Sequence, residues 1–289
     1  MTFLALITAV LLLQVWGSGE KLHHDNWYQR WQIRVAGFGL SARAVLVLSV
    51  LGPTLLVAWL MESLRYFLFG LPWIAAAVCL LLYAFGRGDF NSLVERYLGY
   101  CRAQDFQSAF RFSVSALPEA DPEEEEAAQQ SIGTPAELHS HIQKQLLYEG
   151  YQRWFAVLFY FVLLGPAAAL AYRLLHLSHE QNASDFSKKL LFLADWVPVR
   201  LLAAAFVLTG DFMRSRDVFL GYIADTAEDA HVVLYEVAWA ALGHSKPLPG
   251  AADADSPVID CEEVEAISAL LSRSAATWLV SLSLIVLVL

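Results

Sequence analysis

The chain has 289 residues, of which 57% are hydrophobic and only 17% are charged, and its mean hydropathy is +0.47. Soluble domains average about 45–50% apolar and about 25% charged residues, so this composition excludes an ordinary soluble domain and predicts an integral membrane protein. The formal net charge of −10 also argues against nucleic-acid binding, because the release of phosphate counterions requires clusters of lysine and arginine.

Six apolar runs follow one another along the chain, at residues 2–16, 44–61, 66–86, 154–175, 197–212 and 275–289. A helix needs about 20 residues to cross about 30 Å of hydrocarbon, so the second, third and fourth runs are the clearest predicted spans. We interpret the first run as a retained helix, since it lacks the basic start and the small-residue cleavage site of a signal peptide. The fifth run is either a full span or a re-entrant helix. Apolar residues at helical spacing extend the sixth run backwards, which predicts a C-terminal anchor.

Lysine and arginine predict the side of the membrane on which each connecting segment lies. If all six runs cross, segments 18–43, 87–153 and 213–274 share one side and hold fourteen of the nineteen basic residues, which places them in the cytoplasm. A four-span alternative without the first and fifth runs divides the basic residues almost evenly and ranks second. The predicted organisation is a set of N-terminal membrane segments at 1–86, a cytoplasmic helical loop at 87–153, core membrane helices at 154–212, a cytoplasmic helical region with a linker at 213–274, and the anchor at 275–289.

Strand-like alternation is nearly absent, so the predicted fold is all-α. It is a polytopic membrane helix bundle with amphipathic and cytoplasmic helices in its loops. Apolar residues within 90–101 recur at i, i+3, i+4 and i+7, which predicts an amphipathic helix. Thr134 and Glu137 form a capping box that starts a helix leading into the fourth run. The stretch 225–228 resembles a second capping box, and Gly243 is placed to end the helix that follows it.

Motifs of soluble chemistry are lacking in the sequence. It contains neither a GxxxxGK[ST] loop nor a GxGxxG after a strand. Cys79, Cys101 and Cys261 are scattered and imply neither a disulfide framework nor a CxxC site. The acidic stretch 118–130 is typical of a solvated loop. We therefore predict no metal site, and the catalytic residues, if there are any, are unknown.

Two stretches combine polar groups with apolar surroundings. An arginine in a membrane segment is costly unless it is paired or faces water, so Arg200 predicts a binding site. We expect Asp195 to cap a helix that Pro198 helps to start. On that helix Asp195 and Arg200 point about 140° apart, so Arg200 requires another helix, water or an anionic ligand as its partner. In the fourth run, Gly165 and Pro166 interrupt the hydrogen-bond ladder and predict a kinked, closely packed span.

The candidate ligand-binding residues are the polar and charged side chains in or beside these two stretches. They are Glu149, Arg153, Tyr172, Arg173, Asp195 and Arg200. For Tyr172 and Arg173, the alternative is that they anchor the helix at the membrane interface.

The stretch RWFAVLFYFVLLGPAAALAYRLL at 153–175, followed by DWVPVRL at 195–201, resembles the AmpE family of bacterial inner-membrane proteins. The resemblance extends over the order of elements in the whole chain. It implies a multi-pass inner-membrane protein with a regulatory or signalling role in β-lactamase induction and the response to cell-wall stress. The partners it implies are membrane lipid, a cell-wall-derived or other anionic small molecule, and a cytoplasmic regulatory protein. No cofactor is expected for this role, and no nucleic acid.

AmpE proteins are also similar, more distantly, to the CbiB/CobD membrane proteins, which form an amide bond with ATP in cobalamin biosynthesis. Asp195, Pro198, Arg200 and Leu201 match the Asp-x-x-Pro-Ala-Arg-Leu stretch of those enzymes. Their Asn-Thr-x-Asp-Ser stretch is replaced here by residues 174–178, Leu-Leu-His-Leu-Ser.

The alternative function is therefore a synthase that uses ATP and Mg²⁺. Arg200 and Arg153 would hold phosphate or carboxylate, and Glu149 or Asp195 would bind Mg²⁺ or act as the base. A small-solute transporter is disfavoured, because matching halves with broken helices are not evident. We favour a regulatory protein over an enzyme.

Overall fold

The computed structural model describes residues 2–16, 25–85, 90–116, 134–244 and 261–288. Within these residues every regular element is a helix, which confirms the all-α prediction. The helices are α1 (Thr2–Trp16), α2 (Asn26–Ala36), α3 (Ala42–Arg65), a 3₁₀ turn (Leu68–Gly70), α4 (Leu71–Ala84), α5 (Phe90–Arg102), α6 (Phe106–Ala116), α7 (Pro135–Gly150), a π-helical segment (Tyr151–Ala156), α8 (Val157–Leu164), α9 (Pro166–Gln181), α10 (Asp185–Thr209), α11 (Phe212–Tyr222), α12 (Ala230–Ala241) and α13 (Cys261–Val288). The acidic stretch 118–130 lies outside the described residues.

Local signals in the sequence set several helix ends. The predicted capping box at the start of α7 is present: the Glu137 amide donates to Thr134 Oγ1 at 3.3 Å, and the Thr134 amide donates to Glu137 Oε2 at 2.9 Å. The predicted capping box at 225–228 is wrong, because α12 begins only at Ala230. The Asp225 carboxylate instead accepts the Ala227 amide at 2.7 Å within the preceding turn. Gly243, with φ of +86°, follows the end of α12 as predicted.

The helices form two compact units. The first comprises Met1–Asp89, Gln152–Ala194 and Ser281–Leu289, and the second comprises Phe90–Tyr151 and Asp195–Val280. In the first unit, α9 packs against α3, α4 and α8, while α1 packs on α4 and α2 on α3. In the second unit, α7 packs against α5, α6 and α12, and α11 packs against α12. The predicted division into membrane and cytoplasmic segments concerns position relative to a membrane, which helix packing does not test, so it stays a prediction.

The predicted span 154–175 is not one helix. Gly165 takes φ of +93°, which ends α8, and Pro166 begins α9. The rings of Tyr160 and Tyr172 stack with centroids 5.3 Å apart, whereas twelve residues of straight helix would separate them by about 18 Å. The predicted break is confirmed, but it produces a pair of helices that fold back on each other rather than a kinked span.

This fold-back brings together segments that were predicted on opposite sides of a membrane. The Arg43 guanidinium lies over the Phe186 ring at 5.7 Å, and the Tyr28 hydroxyl is 2.6 Å from Ser178 Oγ. Both the six-span and the four-span topologies place residues 28 and 43 across the membrane from residues 178 and 186. These contacts show that the apolar run 154–175 reverses at Gly165 and is not one continuous span, while the sides of the membrane assigned to the connecting segments stay a prediction.

Two helices in the described part of the chain are long and apolar enough to cross a membrane. They are α3 and α10, and 11% and 56% of their most apolar windows are buried in the protein. The third predicted span is shortened by the 3₁₀ turn, where Phe69 and Gly70 adopt positive φ, so that α4 has 14 residues and a length of about 21 Å. A longer polytopic bundle stays a prediction.

Helix α10 begins ten residues before the predicted start at Asp195. Pro198 lies inside this helix and, having no N–H, leaves the carbonyl of Ala194 without its usual donor. The Tyr160 hydroxyl donates to that carbonyl at 2.8 Å. This contact replaces the missing hydrogen bond, which explains why the proline is tolerated within α10 and does not start a new helix.

A disulfide joins Cys101 at the end of α5 to Cys261 at the start of α13, with the two Cα atoms 5.9 Å apart. The scattered positions of the cysteines implied no disulfide framework, so the sequence did not predict this bond. The two residues are 160 positions apart in the chain, so only the packing of α5 beside α13 reveals the pair. Cys79 is an exposed free cysteine.

Candidate functional site

Asp195, the first residue of the predicted motif, is almost completely buried in the second unit. Tyr148 donates its hydroxyl proton to Asp195 Oδ2 at 2.9 Å, and Tyr151 donates to Oδ1 at 2.8 Å. The two tyrosines are three positions apart, and this spacing places them on one face of their helix. A buried carboxyl group requires hydrogen-bond partners, so the two tyrosines offset the cost of burying Asp195.

The sequence interpretation missed both tyrosines. Tyr148 and Tyr151 lie on either side of Glu149 and Gly150, shortly before the RWF stretch at 153–155. Their i, i+3 spacing was the available signal. The ring of Tyr148 also lies against the His231 imidazole of α12, with centroids 3.9 Å apart. Asp195 thus lies within a cluster of aromatic side chains and does not cap a helix.

Arg200 lies five residues further along α10 and contacts a different set of atoms. Its Nη1 donates to the Trp196 carbonyl at 2.9 Å, and its Nε donates to the Ile223 carbonyl at 3.2 Å. Nη2 donates to the carbonyl of Asp225, and the guanidinium stacks on the Trp196 ring at 4.3 Å. The Trp196 indole also donates to the Asp225 carbonyl, at 3.0 Å.

The carbonyls of Ile223 and Asp225 follow the last residue of α11, where a helix leaves acceptors without intrahelical donors. Arg200 therefore caps the C-terminal end of α11, where a cation is favoured by the helix dipole. The sequence analysis expected another helix, water or an anionic ligand as the partner of Arg200. In the structure the partner is another helix, α11.

The six predicted candidates divide between the two units. Glu149 lies in the second unit with Asp195 and Arg200. The other three candidates, Arg153, Tyr172 and Arg173, lie in the first unit. Glu149 and Arg153 are both half-buried on the continuous helical stretch that leads from α7 to α8.

Tyr172 and Arg173 are adjacent on α9 and point in directions about 100° apart. Tyr172 is buried against Tyr160 and lines an apolar cavity. Arg173 is also buried, with 8% of its surface exposed, and no hydrogen bond or ion pair joins its guanidinium to another described residue. Burial argues against interfacial anchoring for either residue.

Polar groups from the start of α2 and from α4 lie near Arg173. The charge of Arg173 acts on the Tyr83 hydroxyl, which donates to Asp25 Oδ1 at 2.9 Å and accepts from the Trp27 indole at 3.0 Å. Asp25 is itself 3% exposed. Arg173 therefore occupies a buried polar region that also contains the Asp25 carboxyl group.

A second polar cluster lies in the second unit. The Tyr97 hydroxyl is 2.7 Å from Nδ1 of the buried His139, and His139 Nε2 is 3.2 Å from Glu263 Oε2. Gln143 Nε2 donates to the same Glu263 oxygen at 3.0 Å. Burial raises the pKa of Tyr97, and the negative charge of Glu263 raises it further.

Glu263 shows the opposite shift. Burial acts to raise the pKa of Glu263, but the hydrogen bonds from His139 and Gln143 outweigh it, so this pKa lies below the usual glutamate value. Nearby, burial and the positive charge of Lys144 lower the pKa of His141. In the described residues, no three His, Cys, Asp or Glu side chains are arranged to hold a metal ion.

The comparison with known proteins agrees with the resemblance carried by the 153–175 and 195–201 stretches. A family model described as "Regulatory signalling modulator protein AmpE" matches residues 1–248. The chain belongs to the AmpE family. No curated protein and no solved structure matches it, and the more distant similarity to CbiB/CobD proteins is not shown.

The AmpE match contains all six candidate residues and ends before α13. Cys261 and Glu263, which bind groups on α5 and α7, therefore lie beyond the region matched to the AmpE family. The polar cluster of the second unit joins AmpE-matched helices to a helix outside the match.

Proposed function

We propose that this AmpE-family chain is a multi-pass inner-membrane regulator of β-lactamase induction and the cell-wall stress response. It binds an anionic, cell-wall-derived small molecule at Arg173 and signals to a cytoplasmic regulatory partner. Family membership supports the regulatory role. The ligand, its site and the pathway are our inference.

One observation carries the ligand site. Arg173 is buried, and its guanidinium makes no hydrogen bond or ion pair with any described residue. A buried guanidinium without hydrogen-bond acceptors is expensive, and an anionic ligand supplies such acceptors. The nearby Tyr83 hydroxyl and Trp27 indole already donate to Asp25 and to Tyr83, so the guanidinium itself supplies the donors for such a ligand.

The membrane location is supported by the surface of α3. Leu55, Leu56 and Trp59 on this helix are each more than 60% exposed. Apolar side chains on a helix of 24 residues, with little of it buried in the protein, are expected where the helix faces lipid.

Complementation of a deletion strain tests the proposal. We expect Arg173→Gln to behave like the deletion when β-lactamase activity is measured after exposure to a β-lactam, because the neutral amide cannot attract the anion. Arg173→Lys should restore part of the response, since it keeps the charge but loses the planar pair of donors. Arg65→Gln, at an exposed arginine of α3, is the matched control and should behave like wild type.

Membrane levels of each variant must be equal by immunoblot. Full restoration of the response by Arg173→Gln, at the wild-type protein level, would falsify the assignment of the ligand site. No second function is proposed, because Arg200, which the ATP-dependent synthase requires for phosphate, donates to backbone carbonyls.

A further inference from the structure

The first unit contains an apolar cleft with a volume of about 370 Å³, within the size range of ligand pockets. Four helices form it: α3, α8, α9 and α10. Its walls are built from aliphatic and aromatic side chains, among them Leu46, Val50, Ala168, Ala171, Phe186 and Leu190. The space exists because α9 presents alanines to the cleft where larger residues would fill it.

Both α3 and α10 begin at the same end of the cleft, where the Arg43 guanidinium lies over Phe186. Arg43 and Lys189 are exposed there, together with the acidic Asp185. From Phe186 the cleft follows α10 to Ala194, a length of about 12 Å at 1.5 Å per residue. It is therefore elongated, with basic groups at one end and apolar walls along its length.

The polar groups inside this cleft are already engaged. The Tyr160 hydroxyl donates to the carbonyl of Ala194, and the ring of Tyr172 stacks on the ring of Tyr160. A polar ligand would find few partners in the cleft and would lose its hydration, so the occupant must be a hydrocarbon.

The surroundings identify the source of that hydrocarbon. The cleft lies between α3 and α10, the helices of the described chain that are long and apolar enough to cross a membrane. The exposed apolar face of α3 continues from the cleft towards Leu55 and Leu56. A lipid chain enters such a cleft directly from the bilayer, with its headgroup at the interface where α3 and α10 begin.

We propose that this cleft binds one acyl chain of an anionic membrane phospholipid, with the phosphate beside Arg43 and Lys189. The site is separate from the Arg173 site, because Arg173 does not line the cleft and points about 100° from Tyr172 on α9. It adds lipid recognition to the proposed regulatory role and does not depend on it.

Photocrosslinking of the full chain in phosphatidylcholine nanodiscs tests this proposal. A trace of phosphatidylglycerol with a photoreactive group on its acyl chain is activated, and labelled peptides are mapped by mass spectrometry. We expect labelling concentrated in residues 46–51 and 186–194. Uniform labelling of the exposed face of α3, with no enrichment in these ranges, would show general lipid contact only and would overturn the proposal.

Ala171→Phe fills the cleft, and Ala58→Phe makes the same change on the exposed surface of α3. Excluding two methylenes is enough for a loss of about tenfold in labelling, so Ala171→Phe should show at least that loss while Ala58→Phe does not. Should Ala171→Phe fail to fold, Ala168→Leu offers a smaller change in the same wall. Unchanged labelling in a folded cleft variant contradicts the site.

The headgroup is tested with the same probe chain on phosphatidylglycerol and on phosphatidylcholine. Wild type should prefer the anionic probe, and Arg43→Gln should lose much of that preference while still labelling the cleft. Arg65→Gln, at the other end of α3, serves as the charge-matched control and should retain the preference. Equal labelling of wild type by the two headgroups would refute recognition of the phosphate.

Discussion

The disulfide between Cys101 and Cys261 provides the largest single perturbation that the structure predicts. It closes a loop of 160 residues between α5 and α13. For a loop of that length, the chain-entropy model gives a stabilisation of about 5 kcal/mol, and losses of about 2–5 kcal/mol are typical for native disulfides. Cys101→Ser should therefore lower the free energy of unfolding by several kcal/mol.

Thermal unfolding of the purified chain in detergent measures this effect. At roughly 2–4 °C per kcal/mol for chains of 150–250 residues, Tm should fall by on the order of 10 °C in Cys101→Ser. A reductant should lower the Tm of wild type by a similar amount and leave the variant unchanged. Cys79→Ser is the matched control, because Cys79 is exposed and free. If wild type unfolds at the same temperature with and without reductant, the entropic argument fails.

The same bond tests the predicted side of the membrane. Cytosolic thiols are kept reduced, whereas disulfides persist in the bacterial periplasm. The basic-residue bias places 87–153 and 213–274 in the cytoplasm, so alkylation of growing cells should trap both cysteines as free thiols. A disulfide already formed in growing cells would place both segments on the outer side and would contradict that assignment.

Three further predictions rest on individual contacts. Tyr160→Phe removes the donor to the Ala194 carbonyl and should cost about 1–3 kcal/mol of stability. Pro198→Ala restores a backbone donor to that carbonyl, so in a double-mutant cycle the cost of Tyr160→Phe should largely disappear in the Pro198→Ala background. Because its pKa is lowered in the fold, the Glu263 carboxylate stabilises the protein at neutral pH, and this contribution is lost as the pH falls below the ordinary glutamate value of about 4.3. Glu263→Gln should therefore flatten the acid limb of a profile of Tm against pH. An unchanged limb contradicts this. Arg200→Ala removes three hydrogen bonds to backbone carbonyls and should destabilise by about 2–5 kcal/mol in denaturant unfolding, and a loss below about 1 kcal/mol would show that the cap is dispensable.

Local features were predictable from the sequence because their causes are local. The capping box of Thr134 and Glu137 requires only residues three positions apart, and it is present as predicted. Gly165 and Pro166 interrupt a helix wherever they occur together, since neither supports a continuous ladder. The Asp195 and Arg200 side chains were expected to contact different groups, and helix geometry alone was enough for that expectation.

Features that depend on distant residues were not predictable. Hydropathy shows that 154–175 is apolar but not that the chain reverses at Gly165, because a hairpin and a span have the same composition. Pro198 was interpreted as a helix start, since the sequence does not reveal that Tyr160 supplies the replacement donor. The pairing of Cys101 with Cys261 requires α5 and α13 to be neighbours, and their separation along the chain hides this.

The fold-back at Gly165 changes the meaning of the Asp195 cluster. Since Phe186 contacts Arg43, α10 starts at the same end of the first unit as α3, and Asp195 lies ten residues, or about 15 Å, further along the axis of α10. If α10 crosses a hydrocarbon layer of about 30 Å, the carboxylate lies near its middle, where an acid without donors would be most costly. The hydroxyls of Tyr148 and Tyr151 meet that requirement, so the residue first interpreted as a helix cap is better explained as a buried acid stabilised by its two tyrosines.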